Sequence, residues 1–579
     1  MKTTSRRQFL TQSASLAAIG GVATLAACSS SSGTPAQFLY GVASGDPLAD
    51  RVILWTHAKR ANDLTDVKLT WQIATDNGFT NIVNSGTVVA GAATDYTAKI
   101  DAIGLSAGTT YYYRFLDETN TSSTLGTTRT LPTSGATSVK LAVFSCTHYS
   151  AGFFNVYESA VSSGAEYALH LGDYIYEYGA AANLYGNTDN TTTPAGTAET
   201  LGRVALPAND TVTLSDYRTR YAQYRTDTNL QALHAKMPWI TIWDDHEFAD
   251  NAYKDGASNH NTATQGDWTT RKNNAAKAYH EWMPIRSPDA TNLLKIYRKF
   301  EFGNLFSLHM LDTRIEGRTK QAYAYYGDPL DASIQPYAWA DYGTGLSTGA
   351  DAANKMMSDA QFSWFTTNIA SATTKWQIVG NQDIMAKLWY PATVLQALGG
   401  SNPTSAITSY LTTKASNPTA AAGIPKLPMN MDAWDGYPIN RETLLQTVKA
   451  SGKKMVVLSG DSHNAWFNDI RTLDGTDKVG VEFAVTSVTS PGYESMGFGS
   501  LAPFIDGSGI AKGTNGTRAG LVDDVNYCET QKRGYLLMTV SDTQVKGEYV
   551  FVDTVRSKTY TAKVDKTITI ATDLSATYS

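Results

Sequence analysis

The 579-residue chain has little cysteine, little charge and no long apolar run beyond its first 28 residues. Three cysteines are too few for a disulfide-stapled scaffold. Charged residues make up only 17%, while Gly, Ser, Thr, Ala and Tyr are plentiful; that balance suits a β-rich exported protein with polar loops better than a helical bundle. Past the N-terminus, no stretch approaches the roughly 18 apolar residues that a membrane-spanning helix needs. Basic excess is also missing. The formal charge is −6, and residues 1–27, with Lys2, Arg6, Arg7 and no acid, leave a more negative remainder. A body of that sign argues against a nucleic-acid-binding surface. It still allows a phosphorylated substrate, because bound metal ions invert the local sign of a site. The chain has no Walker loop and no repeat of 20–50 residues.

What is present begins with an address. Ser5-Arg6-Arg7-Gln8-Phe9-Leu10 has the twin-arginine form and precedes a weakly apolar stretch, Ala14 to Ala27. The stretch ends at Leu25-Ala26-Ala27-Cys28, which is similar to the lipobox of bacterial lipoproteins. Residues 1–28 therefore read as a signal, with Cys28 acylated, and 29–37 as a Ser-rich tether. The expected partners are the Tat translocase during export and a membrane reached through lipidated Cys28. The expected location is the periplasm or cell surface, and the expected state a monomer. Cys146 and Cys528 then remain, with the option of one disulfide in an oxidising compartment. Cys146, however, closes a strand beside other metal-ligand types.

Residues 38–135 read as short strands with turns between them, among them Arg51–Thr56, Val67–Ile73 and Thr127–Thr130. Leu105–Phe115 looks like the tyrosine corner of fibronectin-type sandwiches. From Val139 the pattern becomes helix then strand. A helix at 153–162 precedes a strand at 167–171, and a helix over 215–233 precedes 239–243. Further helices at 359–372 and 441–450 precede strands at 376–379 and 454–458. The fold class expected is α/β: an N-terminal β-sandwich (38–135), then a layered α/β domain (137–579) with two sheets flanked by helices. The stretches near 180–212, 325–350, 400–425 and 493–520 lack periodicity and read as surface loops. Residues 534–564 alternate as antiparallel strands expected to complete the second sheet.

Four strands end in metal-ligand types: Phe144-Ser145-Cys146-Thr147-His148, Leu171-Gly172-Asp173-Tyr174-Ile175-Tyr176, Trp243-Asp244-Asp245-His246-Glu247 and Ser459-Gly460-Asp461-Ser462-His463-Asn464. Carboxylates converging on one sheet edge repel and raise one another's pKa unless a cation neutralises them. A polynuclear metal centre is the simplest resolution. His148 and His170 are weaker candidates, and His170, which lies on a strand, reads more readily as a satisfied core residue.

Together with Tyr40-Gly41-Val42-Ala43-Ser44-Gly45-Asp46-Pro47 and Glu177, these motifs make the chain resemble the PhoD-type alkaline phosphatases of the calcineurin-like metallophosphoesterase superfamily. The resemblance implies metal-activated hydroxide attack on a phosphate monoester or diester. Asp173 would bridge two metals. Cys146, Tyr176 and His463 would complete a ferric site, with Asp245 and Asp461 holding calcium. Phenolate and thiolate suit iron, and carboxylate oxygens suit calcium. His246 is expected as phosphate binder or general acid, Arg314 as a phosphate clamp. Asn381 would offer an amide oxygen to the second metal, and Asp250 and Asn251 would support a further calcium. A phosphodiesterase acting on lipid, teichoic acid or nucleotides is the nearest alternative, a non-catalytic adhesion protein the remote one.

Overall fold

The computed structural model describes residues 34–180, 198–321, 353–398, 403–509 and 520–579. The twin-arginine segment, Cys28, residues 29–33 of the tether and the stretch near 325–350 lie outside the described residues. Among the described residues no helix is long and apolar enough to cross a membrane.

The β-branched and aromatic runs of the N-terminal part form β1 (Val42–Gly45), β2 (Arg51–His57), β3 (Val67–Ala74), β4 (Ile82–Ala90), β5 (Thr97–Ile103), β6 (Thr110–Leu116) and β7 (Gly126–Arg129). A four-stranded sheet, β4-β3-β6-β7, lies over β1, β2 and β5. Val67, Leu69, Trp71 and Ile73 alternate inward along β3 and share a core with Val42, Val52 and Leu54. The tyrosine corner is present: Tyr111 Oη accepts the Ser106 N–H at 2.8 Å.

The remaining strands are β8 (Ser138–Phe144), β9 (Tyr167–His170), β10 (Trp239–Thr241), β11 (Arg298–Phe302), β12 (Phe306–Met310), β13 (Trp376–Gly380), β14 (Trp389–Pro391), β15 (Lys426–Pro428), β16 (Met455–Ser459), β17 (Ala465–Arg471), β18 (Lys478–Ala484), β19 (Val525–Glu529), β20 (Arg533–Ser541), β21 (Gln544–Val552), β22 (Ala562–Ala571) and β23 (Ala576–Tyr578). Two large sheets result, one of ten strands in the order β23-β22-β21-β20-β8-β9-β10-β1-β2-β5 and one of seven in the order β11-β12-β13-β16-β18-β17-β19. Val143, Leu169, Leu536 and Met538 of the first sheet meet Leu308, Ile378, Val456 and Leu458 of the second in one buried core. Each such side chain contributes roughly 1.5–3 kcal/mol by burial. Helices cover the outer faces, so the layered α/β architecture is as expected.

Three local expectations change. The helix expected over 215–233 is two helices, Leu214–Arg225 and Thr228–Lys236. Asp227 divides them because its carboxylate caps the second, accepting the Asn229 and Leu230 N–H groups. The stretch near 400–425, read as a loop, contains the helix Pro403–Ser416. Its buried face is Ile407, Tyr410 and Leu411, a single apolar turn easily lost among Ser and Thr. Finally, the C-terminal strands extend the first sheet rather than the second, because β20 pairs antiparallel with β8.

The first sheet runs on into the N-terminal part, with β1 lying parallel beside β10. Asp46, fully buried, locks that junction. It accepts the Arg286 N–H at 2.7 Å, and Arg298 Nη2 and Nε at 2.7 and 3.0 Å. Its own N–H donates to Trp239 O at 2.9 Å. Losing this carboxylate leaves the largely buried Arg298 guanidinium without its partner, so Asp46→Ala should lower unfolding free energy by about 3 kcal/mol in a denaturant titration.

Candidate metal centre and active site

Six strands deliver the site, three from each large sheet. Cys146 follows β8, Asp173 follows β9, and Asp244, Asp245 and His246 follow β10. From the facing sheet, Arg314 follows β12, Asn381 and Asp383 follow β13, and Asp461 and His463 follow β16. Within each group of three the strands are parallel, so all six C-terminal ends open on the same edge.

The backbone is strained where these side chains emerge. Cys146, Asp173, Asp461 and His463 have φ of 58°, 55°, 55° and 59°, a region that non-glycine residues avoid unless their surroundings impose it. Around Asp173 the imposing group is Glu247. Its buried carboxylate accepts the N–H groups of Asp173, Tyr174 and Asp244 at 3.0, 2.6 and 2.7 Å. The preceding residue, Gly172, has φ of 112°, and a Cβ there would fall on the backbone and Cβ of Asp244.

Cys146, Asp173 and His463 place ligand atoms within 4.8 Å of one another. Tyr176 joins them, its Oη 3.0 Å from both Asp173 Oδ2 and His463 Nε2. His463 Nδ1 donates to Pro491 O at 2.7 Å, which fixes the tautomer and leaves Nε2 with a lone pair directed to the cluster. Burial also lowers this imidazole to about 3, keeping it neutral. Burial, then Asp173, drives the Cys146 thiol well above its ordinary range. Ser490 Oγ lies 2.8 Å from Tyr176 Oη.

A second cluster adjoins it. Asp244, Asp383 and Asp461 form one group with ligand atoms within 4.8 Å, and Asp173, Asp245 and His246 form another. Asp173 thus belongs to two clusters. Burial pushes Asp173, Asp244 and Asp461 well above the usual carboxylate range, opposed by His246 at Asp173 and by Arg314 at the other two. At Asp245 burial acts in the same sense, but Arg314 and His246 outweigh it and hold the group below that range. Asp244 Oδ2 and Asp245 Oδ1 are buried without a hydrogen-bond donor. Anionic oxygens left this way are costly unless a cation meets them, so the residues present fit a bound metal.

Arg314, expected as a phosphate clamp, is fully buried and enclosed by carboxylates. Nε bonds Asp244 Oδ1, Nη1 bonds Asp432, and Nη2 bonds Asp461 Oδ1 at 2.9 Å and lies 2.8 Å from Asp383 Oδ1. The Asn381 amide is taken up by protein partners: its Oδ1 accepts from Trp434 Nε1 at 3.1 Å and its Nδ2 donates to Asp383 O.

His246 is held by Glu177, Nδ1 to Oε2 at 2.7 Å, and its ring packs against Tyr176 with centroids 4.1 Å apart. Burial alone would lower its pKa, but Asp245, Glu177 and Asp173 raise it well above the usual histidine range. Nε2 is 3.8 Å from Asp250 Oδ1, and the Asn251 N–H bonds Asp245 Oδ2 at 2.6 Å. His148 lies 4.6 Å from the Tyr176 ring. His170 is a core residue bonded by Tyr157 and Gly172. Cys146 and Cys528 are both free thiols; Cys528 sits under Ala502, its Sγ 3.3 Å from the carbonyl.

Sequence reasoning gave no role to Glu177, Asp383 or Asp432. Asp383 carried the usable signal, because Gly380-Asn381-Gln382-Asp383 is another strand ending in polar ligand types. Asp432, after Met429-Asn430-Met431, follows no such strand.

Comparison with known proteins agrees with this geometry. The family described as "PhoD-like phosphatase" matches residues 141–549, and "PhoD-like phosphatase, N-terminal domain" matches 23–132. Alkaline phosphatase D of Bacillus subtilis (strain 168) is 32% identical over 472 residues, covering 79% of this chain and 70% of that one. A solved structure of PhoD superposes with a TM-score of 0.74 at 28% identity, covering 94% of this chain and 92% of that one. Facing sheets with this donor-rich edge, taken with these likenesses, define a phosphoric ester hydrolase. The chain belongs to the PhoD-like phosphatase family.

Because Gly172 combines a positive φ with close approach to Asp244, Gly172→Ala should displace the β9 and β10 ends together. Hydrolysis should fall by at least about 100-fold, read as kcat/KM on a chromogenic phosphate ester.

Proposed function

We propose that the protein is an exported, metal-dependent alkaline phosphatase D-like phosphoesterase. Its first metal, ferric iron, would be held by Cys146, Asp173, Tyr176 and His463, and its second, calcium, by Asp245 and Asp461 with Asp173 shared. The observation that carries this reading is Tyr176 Oη lying 3.0 Å from both Asp173 and His463, beside a buried thiol. Phenolate, thiolate and one imidazole favour iron, and the neighbouring carboxylate oxygens favour a hard divalent ion. When bound, the pair supplies Lewis acidity toward the ester oxygens and activates water.

The chain's own residues do the rest. Glu177 takes the Nδ1 proton of His246 as its hydrogen-bond partner, leaving the Nε2–H of the imidazolium to donate to the departing alkoxide. Tyr176 packs against that ring at an interplanar angle of 31°. Glu247, through three backbone N–H groups, keeps Asp173 and Asp244 facing the cluster. Arg314 is assigned here to the carboxylates it already holds. The twin-arginine pattern and the sequence ending in Cys28 support export by the Tat translocase and lipid anchoring outside the cytoplasm.

Two measurements test this. Purified protein should show visible phenolate-to-iron absorption that disappears in Tyr176→Phe; a colourless, iron-free and fully active enzyme would sink the iron assignment. The second concerns pH. His246 has a raised pKa, so its donor proton is present below that pKa and is lost as pH rises through it. Glu177 is one of the groups raising it. Glu177→Gln should therefore move the alkaline limb of the kcat profile to lower pH, whereas an unmoved limb argues against His246 as the acid.

A further inference from the structure

Arg314 is placed where a second metal's carboxylates meet. The guanidinium is fully buried, and its planar fork reaches four aspartates from four separate loops. Arg318 grips Asp432 from the other side and donates from Nε to Tyr437 Oη at 3.0 Å, so the fork is anchored. Toward the cluster, each carboxylate presents one oxygen to Arg314. Asp244 gives Oδ1 and keeps Oδ2 free of any donor. Asp461 gives Oδ1. Asp245 Oδ1, also without a hydrogen bond, is 3.8 Å from Nη2. Five aspartates (Asp244, Asp245, Asp383, Asp432 and Asp461) face two guanidiniums, an excess of negative charge that a divalent ion would offset.

We propose that Arg314 is a positioning residue for the second metal: a built-in cation that holds Asp461 beside Asp244 and Asp245, so that oxygens of Asp245 and Asp461 turn toward a single calcium ion. The proposal rests on the two-metal reading above and deepens it. The rigid fork is what matters. A lysine ammonium supplies the same charge but fixes no angle between its partners. Arg314 makes no contact with substrate in this role. Its loss is felt first in calcium affinity, while the Cys146, Tyr176 and His463 side of the centre is unaffected.

The test is isothermal titration of calcium chloride into full-length protein stripped of calcium by a chelator, for wild type, Arg314→Lys, Arg314→Gln and Asp432→Asn. Removing an outer partner of metal ligands costs about 10–100-fold in affinity. That range is expected for both Arg314 variants, with the visible iron band kept. Asp432→Asn, which cuts the anchor of the fork and no proposed ligand, should weaken binding in the same direction. Calcium affinity unchanged or tightened in Arg314→Lys and Asp432→Asn overturns the proposal, whether or not Arg314→Gln folds. So does a joint loss of thermal stability and iron band with affinity intact in the folded fraction, the signature of a merely structural arginine. Wild-type protein that hydrolyses esters and shows the iron band yet binds no calcium would instead overturn the second-metal reading, and the proposal with it.

Discussion

The structure turns on negative charge held out of water. Asp173, Asp244, Asp245, Asp383, Asp432 and Asp461 meet at the edge where two sheets face each other, and all six are buried or nearly so. Uncompensated, such groups would take up protons. The fold opposes them with two guanidiniums, Arg314 and Arg318, and with the imidazolium of His246. Other acids are satisfied by backbone instead. Glu247 accepts three N–H groups, and Asp312 accepts those of Arg314, Ile315 and Glu316. The first set surrounds the cluster and the second shapes its walls. That separation leaves the Asp244 and Asp245 oxygens as the unmet demand.

Meeting this constraint requires strained backbone. Four donor residues adopt left-handed φ at the point where a strand stops, and each strained turn is clamped by something distant in sequence. Glu247 clamps the Asp173 turn. Next to Asp461, the Gly460 N–H donates to Gln382 O at 2.7 Å. The Ser145 carbonyl accepts the Val488 N–H at 2.9 Å. The Glu247 clamp lies within the first sheet and the Gln382 contact within the second, whereas the Ser145–Val488 bond joins the end of β8 to the loop after β18 and so crosses between the sheets. The two-sheet core therefore stabilises the site geometry as well as the fold.

Much of this was legible in the sequence, because strand-ending motifs combine two independent signals: an apolar run and a cluster of ligand types. Cys146, Asp173, Tyr176, Asp245, Asp461 and His463 were found that way, and the structure brings them together. Arg314 was legible as a strand-end cation but not as the centre of a carboxylate cage, because its partners lie 70, 118 and 147 residues away. Asp432 has no local pattern at all. Glu177 sits inside a recognisable motif, yet only the folded chain puts it against His246. Topology failed in the same manner. Alternation identified β20 and β21 as strands, but pairing β20 with β8 closes a span of nearly the whole α/β domain, and periodicity carries no information about partners.

The junction at Asp46 bears on mechanics. The N-terminal strands share hydrogen bonds with the catalytic sheet, so this part of the molecule has no swivel of its own. Ala36, near the start of the described chain, is itself pinned by its N–H to Asp117 Oδ2 at 2.7 Å. Any pull applied through the preceding residues is consequently borne first at the end of β6 in the four-stranded sheet and then by β1 in the catalytic sheet, which passes it on as a blade does to the handle it is fixed to.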